Sequence, residues 1–385
     1  MRRWLAPPTS FHRHSDDPPR RIDRSFPDPD PNPPDEDARR ILPPWFDERH
    51  EPIADASAWR ARRRRLLARW REAIGLERLG AAQGRPADPV VRAQDQDAGV
   101  IRRLVEYGSE PDAVWRAYIL RPDEPDAASS GCLDARDVPR PRPGAVVFHS
   151  TTDQTIRQPA GLTADASKHL GLDLARRGWV VVCPECFLWR HCEANRYREA
   201  VAWLERTAGP EVVGMAKMTA DARAALDLLL AQPGVDPTRI AAVGHSLGAK
   251  EALYLAAFDD RVAATVFSEG GLGLSHSNWG DPWYLGRLLD PGRKPDQARP
   301  RLDHVELLTL IAPRGFALIG GDSADGARSQ PLIRAAGAVW DRLGRPEALG
   351  MLNHRQGHSL PEEARAALFT WLEERRDVPE PDERE

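Results

Sequence analysis

The sequence predicts an α/β protein with a doubly wound, mostly parallel sheet. Short apolar runs alternate with stretches of helical periodicity from residue 145 onward, the pattern of strands buried on both faces between helices. One run, Ile240 to Val243, leads straight into Gly244-His245-Ser246-Leu247-Gly248 and then an Ala-rich stretch. That order is strand, sharp turn, helix. A length of 385 residues with 41% hydrophobic content suits one large domain with additions.

Residues 1–52 are rich in Pro, Asp and Arg, and 27–34 read Pro-Asp-Pro-Asp-Pro-Asn-Pro-Pro. Such a run supports neither helix nor central strand, so a disordered or loosely draped extension is expected. Residues 53–98 form a helical segment: Trp59, Leu66, Leu67, Trp70 and Ile74 recur at helical spacing. The run Arg62 to Arg65 reads as the outer face of a helix docked on the main domain. No aromatic-basic interleaving continues beyond it, so no nucleic-acid partner is expected.

The main domain spans 99–376. It opens with two β-like runs, 100–107 and 113–120, flanking Gly108-Ser109-Glu110-Pro111. These read as an antiparallel hairpin at the sheet edge. A Pro/Asp/Ser loop follows over 121–143. Strands are then expected at 145–148, 178–183, 240–243, 262–267, 315–319 and 348–352. Helices are expected near 165–177, 215–231, after the Gly-x-Ser-x-Gly turn, and at 361–375. An insertion covers about 270–312, and 377–385 is a charged tail.

Composition narrows the function classes. A net charge of −4 marks no general polyanion binder. The basic residues are almost all Arg; Lys occurs only at 168, 217, 250 and 294, which reads as coding bias. Four cysteines, Cys132, Cys183, Cys186 and Cys192, make no disulfide framework for this length and suggest a reducing compartment. The start Met1-Arg-Arg-Trp-Leu-Ala-Pro-Pro lacks the apolar run of an export signal, and no stretch has the length of a membrane span. A cytoplasmic protein without a membrane partner is expected.

The turn at 244–248 carries the chemistry. Gly244 and Gly248 remove side chains where strand meets helix, and Ser246 projects from the top of the sheet at a helix N-terminus. A serine nucleophile needs a base, and the base needs an orienting acid. In this arrangement the acid and base follow the serine in the chain. His358, after the last strand, is the base. Asp322, directly after the 315–319 strand, leads as the acid; Asp325 competes, and Glu269, after the 262–267 strand, replaces it or shares the task. The oxyanion donors expected are the backbone N–H groups of Leu247 and Thr151, with Ser150 next. His149, Lys250, Trp279 and Trp283 are candidates for a substrate pocket; the Trp residues serve equally well to pack the insertion. Cys183-Pro184-Glu185-Cys186 lacks the second ligand pair of a zinc ribbon. His354 and His358, four apart, have Gly357 between them and make no helical metal pair, so neither metal nor cofactor is expected.

Together these residues resemble the α/β-hydrolase superfamily over about 100–375. Within it, His149-Ser150-Thr151-Thr152-Asp153, Gly244 to Gly248, Ala257 to Val262 and Gly357 to Pro361 look like acetyl xylan esterases and dienelactone-hydrolase-like esterases. Dienelactone hydrolases proper use a cysteine nucleophile where this chain has Ser246. A weaker likeness is to glucuronoyl methylesterases. Those carry Lys four residues after the nucleophile, matched by Lys250, and some carry the acid at the position of Glu269. They also carry Arg where this chain has Leu247. The resemblance implies a cofactor-free serine carboxylic-ester hydrolase acting on a small or carbohydrate-linked ester. A serine peptidase or amidase, or a non-catalytic binding protein on the same scaffold, are the alternatives.

Overall fold

Nine strands form one sheet in the order β1-β2-β3-β5-β4-β6-β7-β8-β9. They are β1 Val90–Asp97, β2 Val100–Glu110, β3 Ala113–Pro122, β4 Arg142–Phe148, β5 Val180–Pro184, β6 Val235–His245, β7 Ala264–Ser268, β8 Gly315–Gly320 and β9 Leu349–Asn353. The structure, a computed structural model, describes residues 21–24, 53–82, 88–110, 112–123, 141–191, 197–289 and 302–375. Most of the expected N-terminal extension, the tail at 377–385, Cys132, Cys192 and residues 290–301 lie outside these.

β5, β4, β6, β7, β8 and β9 pair in parallel, and β1, β2 and β3 add antiparallel to β5. The chain steps outward from β4 to β5, then returns to place β6 on the other side of β4. The strand order therefore reverses between β4 and β6. Ligand sites of doubly wound sheets open beside such a reversal, beyond the carboxyl ends of the strands.

The parallel strands are buried on both faces, and their side chains divide between two cores. On one face, Val146, Val182, Ala242, Phe316 and Leu318 pack under α1 Ala56–Ile74, α5 Gly214–Leu230, α6 Leu247–Phe258 and α8 Gln330–Arg342. On the other, Val147, Val181, Val243, Val266 and Ile319 pack under α2 Leu170–Arg176 and α9 Glu362–Arg375. The remaining helices, α3 Phe187–Arg190, α4 Tyr197–Ala208 and α7 His304–Thr309, join the first core.

Helix α1 docks as its periodicity requires. Asp55 caps it by accepting from Ala58 N at 2.8 Å, and Gly75 ends it at φ 79°. Trp59, Leu66, Trp70 and Ile74 are buried and Leu67 partly so. The arginine run is only half an outer face. Arg62 is buried, with its guanidinium 3.9 Å from Glu306, and Arg63 donates to Leu310 O at 2.9 Å and pairs with Asp260. Long arginine stems cover apolar surface while the fork finds acceptors across the interface.

Three further features depart from the sequence reading. The hairpin is not the sheet edge: β1 lies outside it. β1 has no buried face and is held by cross-strand polar pairs, including Arg102 to Asp95 at 2.6 Å and Arg103 to Gln94 at 2.8 Å. Hydrophobic periodicity is silent about such a strand. The expected helix at 165–177 is a 3₁₀ turn, Ala166–Lys168, followed by α2. Residues 21–24 of the N-terminal extension lie along β9, with Met351 N donating to Asp23 O at 2.8 Å.

Candidate active site

Ser246 joins β6 to α6 at φ 59°, ψ −120°, a conformation that costs a non-glycine residue free energy and persists only where surroundings enforce it. The surroundings are backbone. A Cβ on Gly244 would stand 2.0 Å from Gly248 O, and one on Gly248 would stand 2.6 Å from Phe148 O. The two glycines let α6 start against β6 and the end of β4. Ser246 N donates to Ser268 O at 2.8 Å, continuing the β6–β7 ladder into the turn. The first N–H groups of a helix have no intrahelical acceptor, so Leu247 N–H is presented at the start of α6.

Glu269 leaves β7 in the same way, at φ 51°. Its carboxylate is buried and accepts from three donors: Gly321 N, Ala324 N at 2.7 Å and His358 Nδ1 at 3.2 Å. Burial by itself pushes this carboxyl up. The bonds from His358, Ala324 and Gly321 together outweigh it and hold the group below its ordinary value. The Glu269 carboxylate is thus buried and ionised, while the His358 side chain keeps 44% exposure. With Nδ1 on Glu269, the Nε2 edge of the imidazole is left for a reacting group.

Gly321 brings Glu269 and His358 together. Its N–H serves Glu269, and its carbonyl accepts from Gly357 N at 2.8 Å, seating the His358 loop beside β8. A Cβ on Gly321 would stand 1.9 Å from Gly357 O.

The leading sequence candidate for the acid sits elsewhere. The Asp322 carboxylate accepts from Asn353 Nδ2 at 2.6 Å and Ala327 N at 3.2 Å. It closes a turn at φ 65°, two residues past the end of β8. Asp325 is fully buried and clamps the segment after Glu269, accepting from Gly271 N at 2.7 Å, Leu272 N at 2.8 Å and Ser329 Oγ at 2.7 Å. His358 is therefore paired with the alternative acid, Glu269. One signal was available: Glu269-Gly270-Gly271 places an acid at a strand end with glycines that permit a sharp exit.

On the β4 side, Ser150 N donates to Gln158 Oε1 at 2.9 Å, so that amide is occupied. Thr151 is exposed in the following turn. His149 is buried between Ser150 O, 2.7 Å from Nδ1, and Cys186 N, 3.2 Å from Nε2. Burial lowers its pKa to about 4 against the backbone bond that raises it. It is a neutral strut between two loops.

Lys250 and Trp279 are also interior. Lys250 Nζ donates to Gly270 O at 2.7 Å and Ser277 Oγ at 3.2 Å, and lies 3.8 Å from the Trp279 ring centroid and 4.9 Å from that of Tyr284. Trp279 is fully buried and donates from Nε1 to Gly271 O at 2.6 Å. They anchor the insertion on α6 and form no open pocket wall. Trp283 alone of the pocket candidates in the insertion keeps partial exposure; its ring lies edge-on to Tyr197 at 5.4 Å. A cavity of about 480 Å³ elsewhere is lined by Arg190, His191, Trp203 and neighbours and includes none of Ser246, Glu269 and His358.

Three residues that the sequence reading did not name as site candidates join the site. Lys168 Nζ lies 2.9 Å from His245 Nε2, and His245 Nδ1 lies 2.9 Å from Ser268 Oγ. Among the described residues no group of three or more His, Cys, Asp or Glu is arranged to hold a metal. Cys183 and Cys186 are buried free thiols, and no described helix is long and apolar enough to cross a membrane.

Comparison with known proteins agrees with this fold. Residues 135–278 match the model of the Dienelactone hydrolase family. No curated protein matches the sequence. Among solved structures, a glucuronoyl esterase from Solibacter usitatus is similar, with 16% identity and a TM-score of 0.62 over 86% of this chain and 96% of that one. A CE15 glucuronoyl esterase from Teredinibacter turnerae shares 17% identity with a TM-score of 0.61, over 93% and 96%. A proposed acetyl xylan esterase from Bacteroides fragilis shares 14% identity with a TM-score of 0.57, over 87% of each. The chain has the α/β-hydrolase fold, and its central segment is similar to the dienelactone hydrolase family.

Proposed function

We propose that the protein is a serine-dependent carboxylic ester hydrolase acting on a small or carbohydrate-linked ester. The observation that carries the reading is the strained Ser246 elbow at the same sheet edge as a hydrogen-bonded His358–Glu269 pair. The family match and the carbohydrate-esterase neighbours support an esterase-type hydrolase.

In this mechanism His358 Nε2 takes the Ser246 hydroxyl proton as Oγ attacks the ester carbonyl. Glu269 holds the imidazole by Nδ1–H and stabilises the imidazolium that forms. The Leu247 and Thr151 N–H groups receive the oxyanion. Collapse expels the alcohol, protonated by His358, and leaves an acyl-serine. Water then attacks, giving its proton to His358, and the acid leaves as Ser246 regains its proton. No step calls for a cofactor. The unpaired buried thiols Cys183 and Cys186 support a reducing, cytoplasmic setting.

The test is hydrolysis of p-nitrophenyl acetate, butyrate and octanoate and of methyl glucuronate, with short peptides alongside. Wild type, Ser246→Ala and His358→Ala are compared. Ester turnover lost in both variants is the expected result. Peptide cleavage without ester cleavage would move the reading to a peptidase. Equal residual activity in all three would leave a binding protein on this scaffold.

A further inference from the structure

Two strained residues face each other across the end of the sheet. His245 and Ser268 are the last residues of β6 and β7 and stand opposite in register. The next residues, Ser246 at φ 59° and Glu269 at φ 51°, both leave the sheet with positive φ. They are the nucleophile and the acid of the proposed reaction, so whatever fixes His245 against Ser268 fixes both.

A side-chain chain does this. The Lys168 ammonium has donors only, so at 2.9 Å from His245 Nε2 it makes that nitrogen the acceptor. The imidazole then carries its hydrogen on Nδ1, which donates to Ser268 Oγ at 2.9 Å. The flanking backbone is bonded too: Ser246 N donates to Ser268 O at 2.8 Å, and Ser150 Oγ donates to His245 O at 3.2 Å. The His245 ring centroid lies 4.9 Å from that of His358. A change in the rotamer or tautomer of His245 is therefore felt at the base as well.

We infer that Lys168, in the loop between β4 and α2, is a positioning residue: through His245 and Ser268 it locks the relative placement of Ser246, Glu269 and His358. The inference rests on the ester-hydrolase reading for its catalytic consequence. The surroundings agree with the assignment. Burial, opposed by the carboxylates of Asp165 and Glu269, lowers Lys168 to about 8. Burial first, then the charges of Lys168 and His358, drives His245 well down, against a bond to the His358 backbone that raises it. Lys168 is thus a charged donor facing a neutral acceptor at pH 7.

The test compares wild type, Lys168→Met and Ser268→Ala on p-nitrophenyl acetate, with ¹⁵N histidine spectra of each. Small misplacements of reacting groups cost up to about 100-fold. Lys168→Met is expected to lower kcat ~10–100-fold, with KM within about threefold and Tm nearly unchanged. Its His245 signals are expected to leave the single Nδ1–H tautomer expected of wild type. Ser268→Ala, which keeps the Lys168 contact, is expected to fall between the two and covers the case in which Lys168→Met does not fold. A kcat within twofold of wild type in both variants, or an unchanged His245 tautomer in Lys168→Met, would overturn the inference. A wild type inert on every ester would sink the hydrolase reading; the ¹⁵N spectra would still decide whether the Lys168–His245–Ser268 lock exists.

Discussion

Glu269 stands one residue past β7 and Asp322 two residues past β8, and their surroundings give the two acids different work. Glu269 is buried under two backbone N–H groups and His358; Asp322 closes a turn with Asn353. Glu269→Gln is expected to lower kcat by about 10³–10⁴-fold, the scale seen when a triad acid is made neutral. Asp322→Asn, which tolerates positive φ, should stay within about threefold. Equal losses in steady-state assays would reverse the assignment. The pH dependence of stability has a sign here as well. Glu269 is lowered in the fold, so the native state holds it charged where the unfolded chain begins to bind a proton, near 4.3. Its contribution is present above that value and lost as pH falls through the folded value. Acid unfolding of Glu269→Gln, followed by circular dichroism, should show a weaker pH dependence there.

Among elements, α6 does the most. It starts at Ser246, and all of its residues are buried, including Glu251. Burial pushes Glu251 up to about 8, against the Cys186 bond that lowers it. The native state therefore binds this proton between about 4.3 and 8 while the unfolded chain releases it, so stability falls as pH rises through that window. Glu251→Gln removes the titration and keeps the shape. Its Tm is expected to exceed that of wild type by a few degrees at pH 9 and to differ less at pH 6, given roughly 2–4 °C per kcal/mol for large domains. The insertion is a second element-scale case. Trp279 is the ring over Lys250, and Trp279→Ala should cost about 3–5 kcal/mol in urea unfolding. A cost below about 1 kcal/mol would show that the insertion folds without that anchor.

At the scale of the whole molecule, helix α1 and the sheet share one core. Trp70 is fully buried, edge-on to Tyr254 of α6 at 6.2 Å. Trp70→Ala is expected to lower the urea midpoint for helix and sheet signals together, by about 3–5 kcal/mol. Separate transitions would mean that α1 is an appendage. The lysines also read differently at this scale. Lys168 meets His245, Lys217 pairs with Glu110 and Asp221, and Lys250 meets Gly270 O under Trp279. All three described lysines make specific side-chain or carbonyl contacts, each as a compact ammonium with three donors.

By itself the sequence determined the doubly wound sheet, the docked helix, Ser246 and its glycines, and His358, because each of these is local. Strand runs, helical period and the Gly-x-Ser-x-Gly turn are set by neighbours in the chain. Tertiary structure decided which of Asp322, Asp325 and Glu269 meets His358. It also decided that Lys250 and Trp279 are interior, and that Lys168 reaches His245. Those outcomes depend on how far each chain end turns after leaving its strand, and on which loop seats beside it. Gly321 against Gly357, a contact between residues far apart in sequence, fixes the His358 loop. No spacing along the chain encodes that contact, because a carboxylate finds its imidazole only after the sheet has aligned the strand ends that carry them.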